Sequence, residues 1–534
     1  MKRFLKQPYQ LLEWFLILCT PLLPLFFTLP YRINLFLAWE GAYRMSLGQI
    51  PYKDFGSPIG YVFWILPALF FKIFGPYVLT LIKTQVFINV VSNTLFAQLL
   101  KKFGIELKGR ILAISVFVLS YTLFNFWPWY NHLVFVIELA AIYTAVSYVY
   151  GTKKSFLNPI LAAILVVLAF LTKQDTGGLS FVLMVCIYAY ASFLEKSFRP
   201  VGWFLLGMLS AIGVLIMPFT MYDFGYWFNL GQSPHFSRLA FTDLLDEFLG
   251  ASKWLKFYLL IVVGIILYQV KDIRQFIVEP RKVVPLFIVL FILAQAAVIQ
   301  ITSYTPLDGN VYFHSFFVAL LLFIFQKEFL VEKPFNFWVI LFLIGFWWSN
   351  VYWVRFARGK VLPMLAKPKQ EEVISKNTYL LDTASSQKMN RGNWVVPKSL
   401  ETFKGIKIPQ ETIDGVKKLK EMPILNKQDI RVLNMTELTP LAYEFDLPYE
   451  AGEKVPLWYH KGVAFFDREV EIYCQKIEAG HYDLILFQDI PDVNNFYPYE
   501  VQECIVDNYV YQFKFLAPRI PEISYIYVYS LKRK

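Results

Sequence analysis

Ile59-Gly-Tyr-Val-Phe-Trp-Ile-Leu-Pro-Ala-Leu-Phe-Phe-Lys-Ile-Phe74 is the run on which the topology turns. It is apolar, but it is shorter than the roughly 20 residues that a spanning helix needs, and it contains Pro67 and Lys72. If it crossed a bilayer, every later loop would invert. The basic segments Lys101-Lys102 to Arg110, Lys153-Lys154, Lys196 to Arg199 and Lys271 to Lys282 would then all face outward. If it lies in the interface or dips in and returns, all of them face the cytoplasm, as the positive-inside rule favours.

The surrounding sequence supports a membrane reading. The chain has 534 residues, of which 57% are hydrophobic, 19% aromatic and only 17% charged, against roughly 25% charge in soluble proteins. Apolar runs dominate from about 10 to 352. Candidate spans fall at 10–29, 77–99, 111–127, 132–150, 157–172, 178–194, 201–220, 253–270, 284–302, 313–326 and 337–353. Eleven spans and a non-spanning helix put the N-terminus inside and a C-terminal domain outside. The first run keeps a basic start and lacks a small-residue cleavage site, so it reads as a retained helix.

The net charge of +11 does not indicate nucleic acid, because the basic residues sit mostly in short loops between spans. The division expected is a membrane domain over 1–354 and an extracytoplasmic α/β domain over 355–534. In the latter, 429–434 and 482–487 read as buried strands, 465–477 as an amphipathic helix, and 509–515 and 523–529 as alternating strands. Its role is expected to be support or acceptor docking. Cys474 and Cys504 can form a disulfide in an oxidising compartment. No His, Cys or carboxylate cluster has metal-ligand spacing, so no cofactor is expected.

The chemistry is sought in the outward segments, chiefly Trp39-Glu-Gly-Ala-Tyr-Arg-Met-Ser-Leu-Gly-Gln-Ile-Pro-Tyr-Lys-Asp-Phe-Gly-Ser-Pro58, which holds two carboxylates. With Glu40-Gly41, Tyr43, Gly48, Pro51-Tyr52, Pro58 and Phe74-Gly75 in this order after a first span, the chain resembles the GT-C glycosyltransferases. Within them it is similar to the protein O-mannosyltransferase and aminoarabinose-transferase group. Leu171-Thr-Lys173 looks like that group's Leu-Thr-Lys at the outer end of a middle span. Two positions depart: Trp39 stands where the group has a leading Asp, and Ser57 where a Lys often precedes Pro.

The resemblance implies transfer of a sugar from a polyprenyl phosphate to a lipid, glycan or protein acceptor, on the periplasmic side of an inner membrane. Inversion at the anomeric carbon needs a carboxylate base. Glu40 or Asp54 is left for that role. Candidate donor contacts are Lys83, about one turn from the outer end of the second span, Lys173, Arg238, Tyr43 and His314. Tyr304, Asp308 and Asn310 lie in the same late segment as His314. Each has a structural alternative: a turn carboxylate for Asp54, a snorkelling cation for Lys83 and Lys173, and loop positions for Arg238 and His314. Rival readings are a transporter or flippase of lipid-linked glycans and a glycan polymerase or ligase with its main loop at 221–252.

Overall fold

The computed structural model describes residues 2–32, 35–222, 225–228, 241–246, 249–250, 253–303, 313–353, 357, 361, 364, 393–452, 454–457, 465–490, 499–519 and 523–532. Among the described residues, seven helices of 19 to 26 residues are apolar enough to cross a membrane, and each coincides with an expected span: Gln7–Phe26, Val78–Phe103, Tyr130–Tyr150, Gln174–Glu195, Arg199–Phe219, Pro280–Ile299 and Pro334–Tyr352. Three further expected spans are shorter helices, Leu157–Phe170, Leu255–Gln269 and Phe313–Phe325. The run expected at 111–127 is the helix Leu107–Phe117, which unwinds into a π turn over Val118–Thr122. The chain thus joins a largely helical, membrane-type bundle to a C-terminal α/β region.

The helices that position the site are α1 (Lys2–Trp14), α2 (Leu35–Ser46), α3 (Val62–Phe74), α4 (Val78–Phe103), α5 (Leu107–Phe117), α6 (Tyr130–Tyr150), α7 (Leu157–Phe170), α8 (Gln174–Glu195) and α9 (Arg199–Leu215). At 1.5 Å per residue the 13-residue α3 is about 20 Å long, the same length as Phe313–Phe325. Its two ends meet the same partner. Trp64 Nε1 donates to Leu37 O at 2.7 Å and Trp39 Nε1 donates to Pro76 O at 2.9 Å, so α3 packs along α2.

The basic loops gather at the other end of the bundle. Arg110 pairs with Glu13 at 2.7 Å, Lys108 with Glu332 at 3.8 Å and Lys154 with Glu195 at 3.8 Å. Tyr190 Oη reaches Ile277 O at 2.8 Å at the same end. Backbone carbonyls freed where helices wind as π turns need partners in a water-free interior. Asn93 Nδ2 donates to Leu16 O at 3.1 Å, and Asn89 Nδ2 to Thr122 O and Asn125 O at 3.2 and 2.9 Å. These amides explain why α4 keeps polar residues inside an apolar run.

The C-terminal region has two sheets. Strands β4 (Val432–Met435), β5 (Leu484–Asp489), β7 (Tyr525–Leu531) and β6 (Tyr509–Leu516) form one in that order, with β4 and β5 parallel. The expected strands and the helix Phe466–Glu478 are all present. That helix and Tyr499–Asn508 cover one face and are joined by the Cys474–Cys504 disulfide; Gln410–Lys420 covers the other.

The second sheet joins an N-terminal strand to the C-terminal region. Strand β1 (Leu29–Pro30) pairs in parallel with β3 (Ile406–Pro409), which also pairs with β2 (Trp394–Val395). Leu35 to Trp64 of the first outward segment also share a single hydrophobic core with Ile406, Leu438, Leu441 and Leu457. Burying that segment's apolar side chains requires the C-terminal region.

Candidate functional site

Helix α2 is apolar on nearly every side, and all ten residues from Leu35 to Arg44 are buried. A helix with no polar face is stable only when surrounded; here α3 and the C-terminal region surround it. Gly41 permits the approach, since a Cβ there would lie 2.3 Å from the Trp64 indole.

Glu40 and Arg44 stand one helical turn apart on the same side. Arg44 Nε donates to Glu40 Oε1 at 2.9 Å, and both side chains are at most a tenth exposed. Arg44 Nη1 also donates to Gln49 Oε1 at 3.1 Å and to Glu450 O at 2.9 Å, and its guanidinium lies 4.1 Å from the centre of the Tyr449 ring. Burial pushes the Glu40 carboxyl above the ordinary carboxylate range, and Arg44 pulls it partly back. Sequence reasoning missed Arg44, although it lies inside the quoted motif at the i+4 spacing that favours such a pair.

The pair opens into a cavity between α2 and the edge strand β4. Phe36, Asn434, Thr436, Thr439, Tyr449 and Leu457 are among its lining residues. Its water-accessible interior is about 50 Å³, which at 10–15 Å³ per water holds a few solvent molecules. Residues 447–450 and 455–457 also line it, and the latter are tied to Gly56: Gly56 N–H donates to Val455 O at 2.8 Å, and Leu457 N–H to Gly56 O at 2.9 Å.

Asp54 does not line this cavity. Its Oδ2 accepts from Ile50 N–H at 2.7 Å and closes its own turn, and its backbone carbonyl accepts from Gly452 N–H at 2.8 Å. The turn-carboxylate alternative describes it, because a short Asp side chain is satisfied locally before it can reach across. Tyr43 is close by: its ring lies 5.9 Å from those of both Tyr443 and Tyr449.

The remaining candidates lie elsewhere. The Lys83 ammonium sits 4.8 Å from the centre of the Phe74 ring, at the C-terminal end of α3. Lys173 caps α8 and is ion-paired with Asp175, two residues on; burial lowers its pKa and Asp175 opposes the shift. His314 is in the first turn of a helix rather than a loop, and is 3% exposed, with Nδ1 2.9 Å from Tyr258 Oη and the Trp348 ring at 5.6 Å. The helix beginning at Phe313 carries it into the bundle. Arg238, His235, Tyr304, Asp308 and Asn310 lie outside the described residues. Among the described residues no group of three His, Cys, Asp or Glu could hold a metal ion.

Gly60 keeps the first outward segment against the end of α7. A Cβ there would fall 1.7 Å from Leu171 O, a backbone atom that cannot swing away. Gly60→Ala is expected to cost more than about 3 kcal/mol, beyond the usual range for overpacking, and to lower the melting temperature of the solubilised protein. Gly178→Ala, where a Cβ meets nothing within 4 Å, should leave that temperature unchanged or raise it.

No protein-family model matches the chain, and no curated protein matches it either.

Proposed function

We propose that the protein is a membrane glycosyltransferase of the GT-C type. It would take a sugar from a polyprenyl phosphate on the outward face of a bacterial inner membrane and pass it to a lipid, glycan or protein acceptor. The observation that carries this reading is Glu40: a buried carboxylate, raised in pKa, at the junction of a helical bundle and an aqueous domain, with a cavity in front of it. A base whose pKa is raised toward working pH is suited to accept a proton from an attacking hydroxyl.

In the proposed reaction the acceptor oxygen bonds to the anomeric carbon, its proton passes to Glu40, and the bond from that carbon to the phosphate oxygen breaks. Polyprenyl phosphate leaves with the bonding pair. Cations stabilise that leaving group, with Lys83 and Lys173 the described candidates; a phosphate at Lys173 competes with Asp175 for the ammonium.

The topology that fits has eleven spans with α3 returning, the N-terminus inside and the C-terminal domain outside. The gathering of basic loops at one end supports it, as does the disulfide, which belongs in an oxidising compartment. Transport of lipid-linked glycans is the second reading. It is favoured by Glu138, fully buried in α6, which accepts from Ser180 Oγ at 2.8 Å and Gln295 Nε2 at 3.0 Å; carboxylates inside membranes commonly mark a pathway.

The test uses purified protein in vesicles, a radiolabelled polyprenyl-phosphate monosaccharide and a membrane acceptor extract. Label appearing in a new product, with free polyprenyl phosphate formed, is the expected result; label crossing the bilayer on its original lipid would favour transport. Because only ionised Glu40 accepts a proton and burial raises its pKa, the transfer rate should fall on the acid side. The fall should begin above the ordinary Glu value of about 4.3, as read from a pH–rate profile.

A further inference from the structure

An arginine and a carboxylate set side by side commonly close two parallel hydrogen bonds. In the Glu40–Arg44 pair only one is closed, from Nε to Oε1 at 2.9 Å. The Nη1 hydrogens are spent on Gln49 Oε1 and the Glu450 carbonyl. Arg44 Nη2 is left with no hydrogen bond among the described residues, and so is Glu40 Oε2. Neither atom is sealed from water, unlike Thr439 Oγ1 and Tyr449 Oη, and both residues line the cavity. The guanidinium is not free to swing and close the second bond. Its Nη1 bonds hold it, and the Tyr449 and Phe55 rings lie 4.1 and 5.5 Å from it.

The other side-chain groups of the cavity are largely spent. Asn434 accepts from Thr436 Oγ1 at 2.7 Å and donates to Leu438 O at 3.4 Å, which leaves one amide hydrogen. Thr436 Oγ1 also accepts from Leu438 N–H at 3.0 Å. The Glu450 carboxylate is taken by Lys476 and by Tyr482 Oη. The open couple is therefore Glu40 Oε2, which only accepts while ionised, beside Arg44 Nη2, which only donates. A group that bridges them must accept and donate through one atom. A hydroxyl or a water does so. An ionised phosphate has no proton for Oε2, and an ammonium has no lone pair for Nη2. A neutral amine has a single lone pair, and attack on the anomeric carbon needs it. Inversion also sets the nucleophile and the leaving phosphate on opposite faces of that carbon, so a residue bonded to the base stands on the acceptor's side.

We propose that Arg44 is a second catalytic residue: its Nη2 donates to the attacking oxygen while Glu40 Oε2 takes the proton, and that oxygen belongs to an acceptor hydroxyl or, when no acceptor is bound, to water. This rests on the transferase reading and deepens it in two ways. The acceptor is an alcohol rather than an amine, and the enzyme has a second, slow activity, hydrolysis of its own donor. In that reaction a water oxygen bonds to the anomeric carbon and one of its protons passes to Glu40. The bond from that carbon to the phosphate oxygen breaks, and polyprenyl phosphate leaves with the bonding pair. The interior of about 50 Å³ has room for the water.

The experiment uses the full chain in vesicles and a labelled polyprenyl-phosphate monosaccharide, with and without the membrane acceptor extract. Without extract, wild type should slowly release free labelled sugar and Glu40→Gln should not. Adding extract should suppress that release as transfer rises, since water and acceptor compete for one place. These readouts need no change at Arg44, so they decide the matter whether or not its variants fold. Arg44→Lys keeps a cation beside Glu40 but has no second nitrogen. At matched amounts of folded protein it should lower transfer and hydrolysis together by about 10- to 100-fold, the size of one hydrogen bond to a charged group. The donor concentration for half-maximal rate should stay unchanged. Transfer without hydrolysis, hydrolysis indifferent to the extract, or Arg44→Lys as fast as wild type per folded molecule would each overturn the proposal and leave the transferase reading standing. Hydrolysis with no transfer to the extract would sink the transferase reading and leave the Glu40–Arg44 site standing. Neither reaction with any donor would overturn both.

Discussion

Arg519→Leu should destabilise the C-terminal domain by about 3–5 kcal/mol, the usual result of breaking a buried ion pair from one side. Arg519 Nη1 lies 2.8 Å from Glu437 Oε1, with the two side chains 4% and 2% exposed. Without the guanidinium, the Glu437 carboxyl is left buried without its ionic partner. Glu437 is also where several elements meet: its backbone N–H donates to Gln488 Oε1 at 2.8 Å, and its carbonyl accepts from Tyr31 Oη at 2.6 Å. The last bond ties the first outward segment to the turn after β4, the turn that carries Thr439. Thermal unfolding in detergent checks the expectation. The double variant Glu437→Leu with Arg519→Leu should recover much of the loss, because no lone charge is then buried; a single variant as stable as wild type would show that the pair holds nothing together.

The bundle was largely legible because a membrane writes long apolar runs, and basic residues mark the loops between them. Ile59–Phe74 reads as non-spanning because it is short and carries Pro67 and Lys72; in the fold its helix is as long as Phe313–Phe325. The C-terminal strands were legible too, as short apolar or alternating runs. What escaped depends on contacts remote in sequence. β1 has two residues and pairs with Ile406 and Lys407, so no local pattern announces it, and without it the first outward segment and the C-terminal domain read as separate units. The π turns became intelligible only when Asn89 and Asn93 were seen to reach their carbonyls.

The site was half legible. Glu40 stood out as a carboxylate in the first outward segment, and Arg44 was within reach of the i, i+4 pairing rule. Thr439 and Tyr449 were not: nothing in the sequence brings a turn some 400 residues away to Glu40, and ordinary Thr and Tyr residues carry no signature. Asp54 attracted the same reasoning as Glu40 but satisfies itself within four residues. For Lys173, the neighbour Asp175 was visible, yet only the fold shows that the two side chains pair.

Glu40→Gln is expected to reduce transfer by about 100- to 10,000-fold, the range ascribed to a general base. The amide keeps an oxygen to accept from Arg44, and Arg44 keeps Gln49, the Glu450 carbonyl and the Tyr449 ring, so the helix and cavity should persist. Only the capacity to take a proton is removed. Asp54→Asn retains an oxygen for Ile50 N–H and should change the rate less than about twofold, as for most substitutions outside a site. The measurement is therefore the transfer rate of wild type, Glu40→Gln and Asp54→Asn at matched amounts of folded protein, with labelled polyprenyl-phosphate sugar as donor. Loss confined to Glu40→Gln is the result predicted; transfer at the wild-type rate in Glu40→Gln would contradict the assignment of the base and of the cavity in front of it.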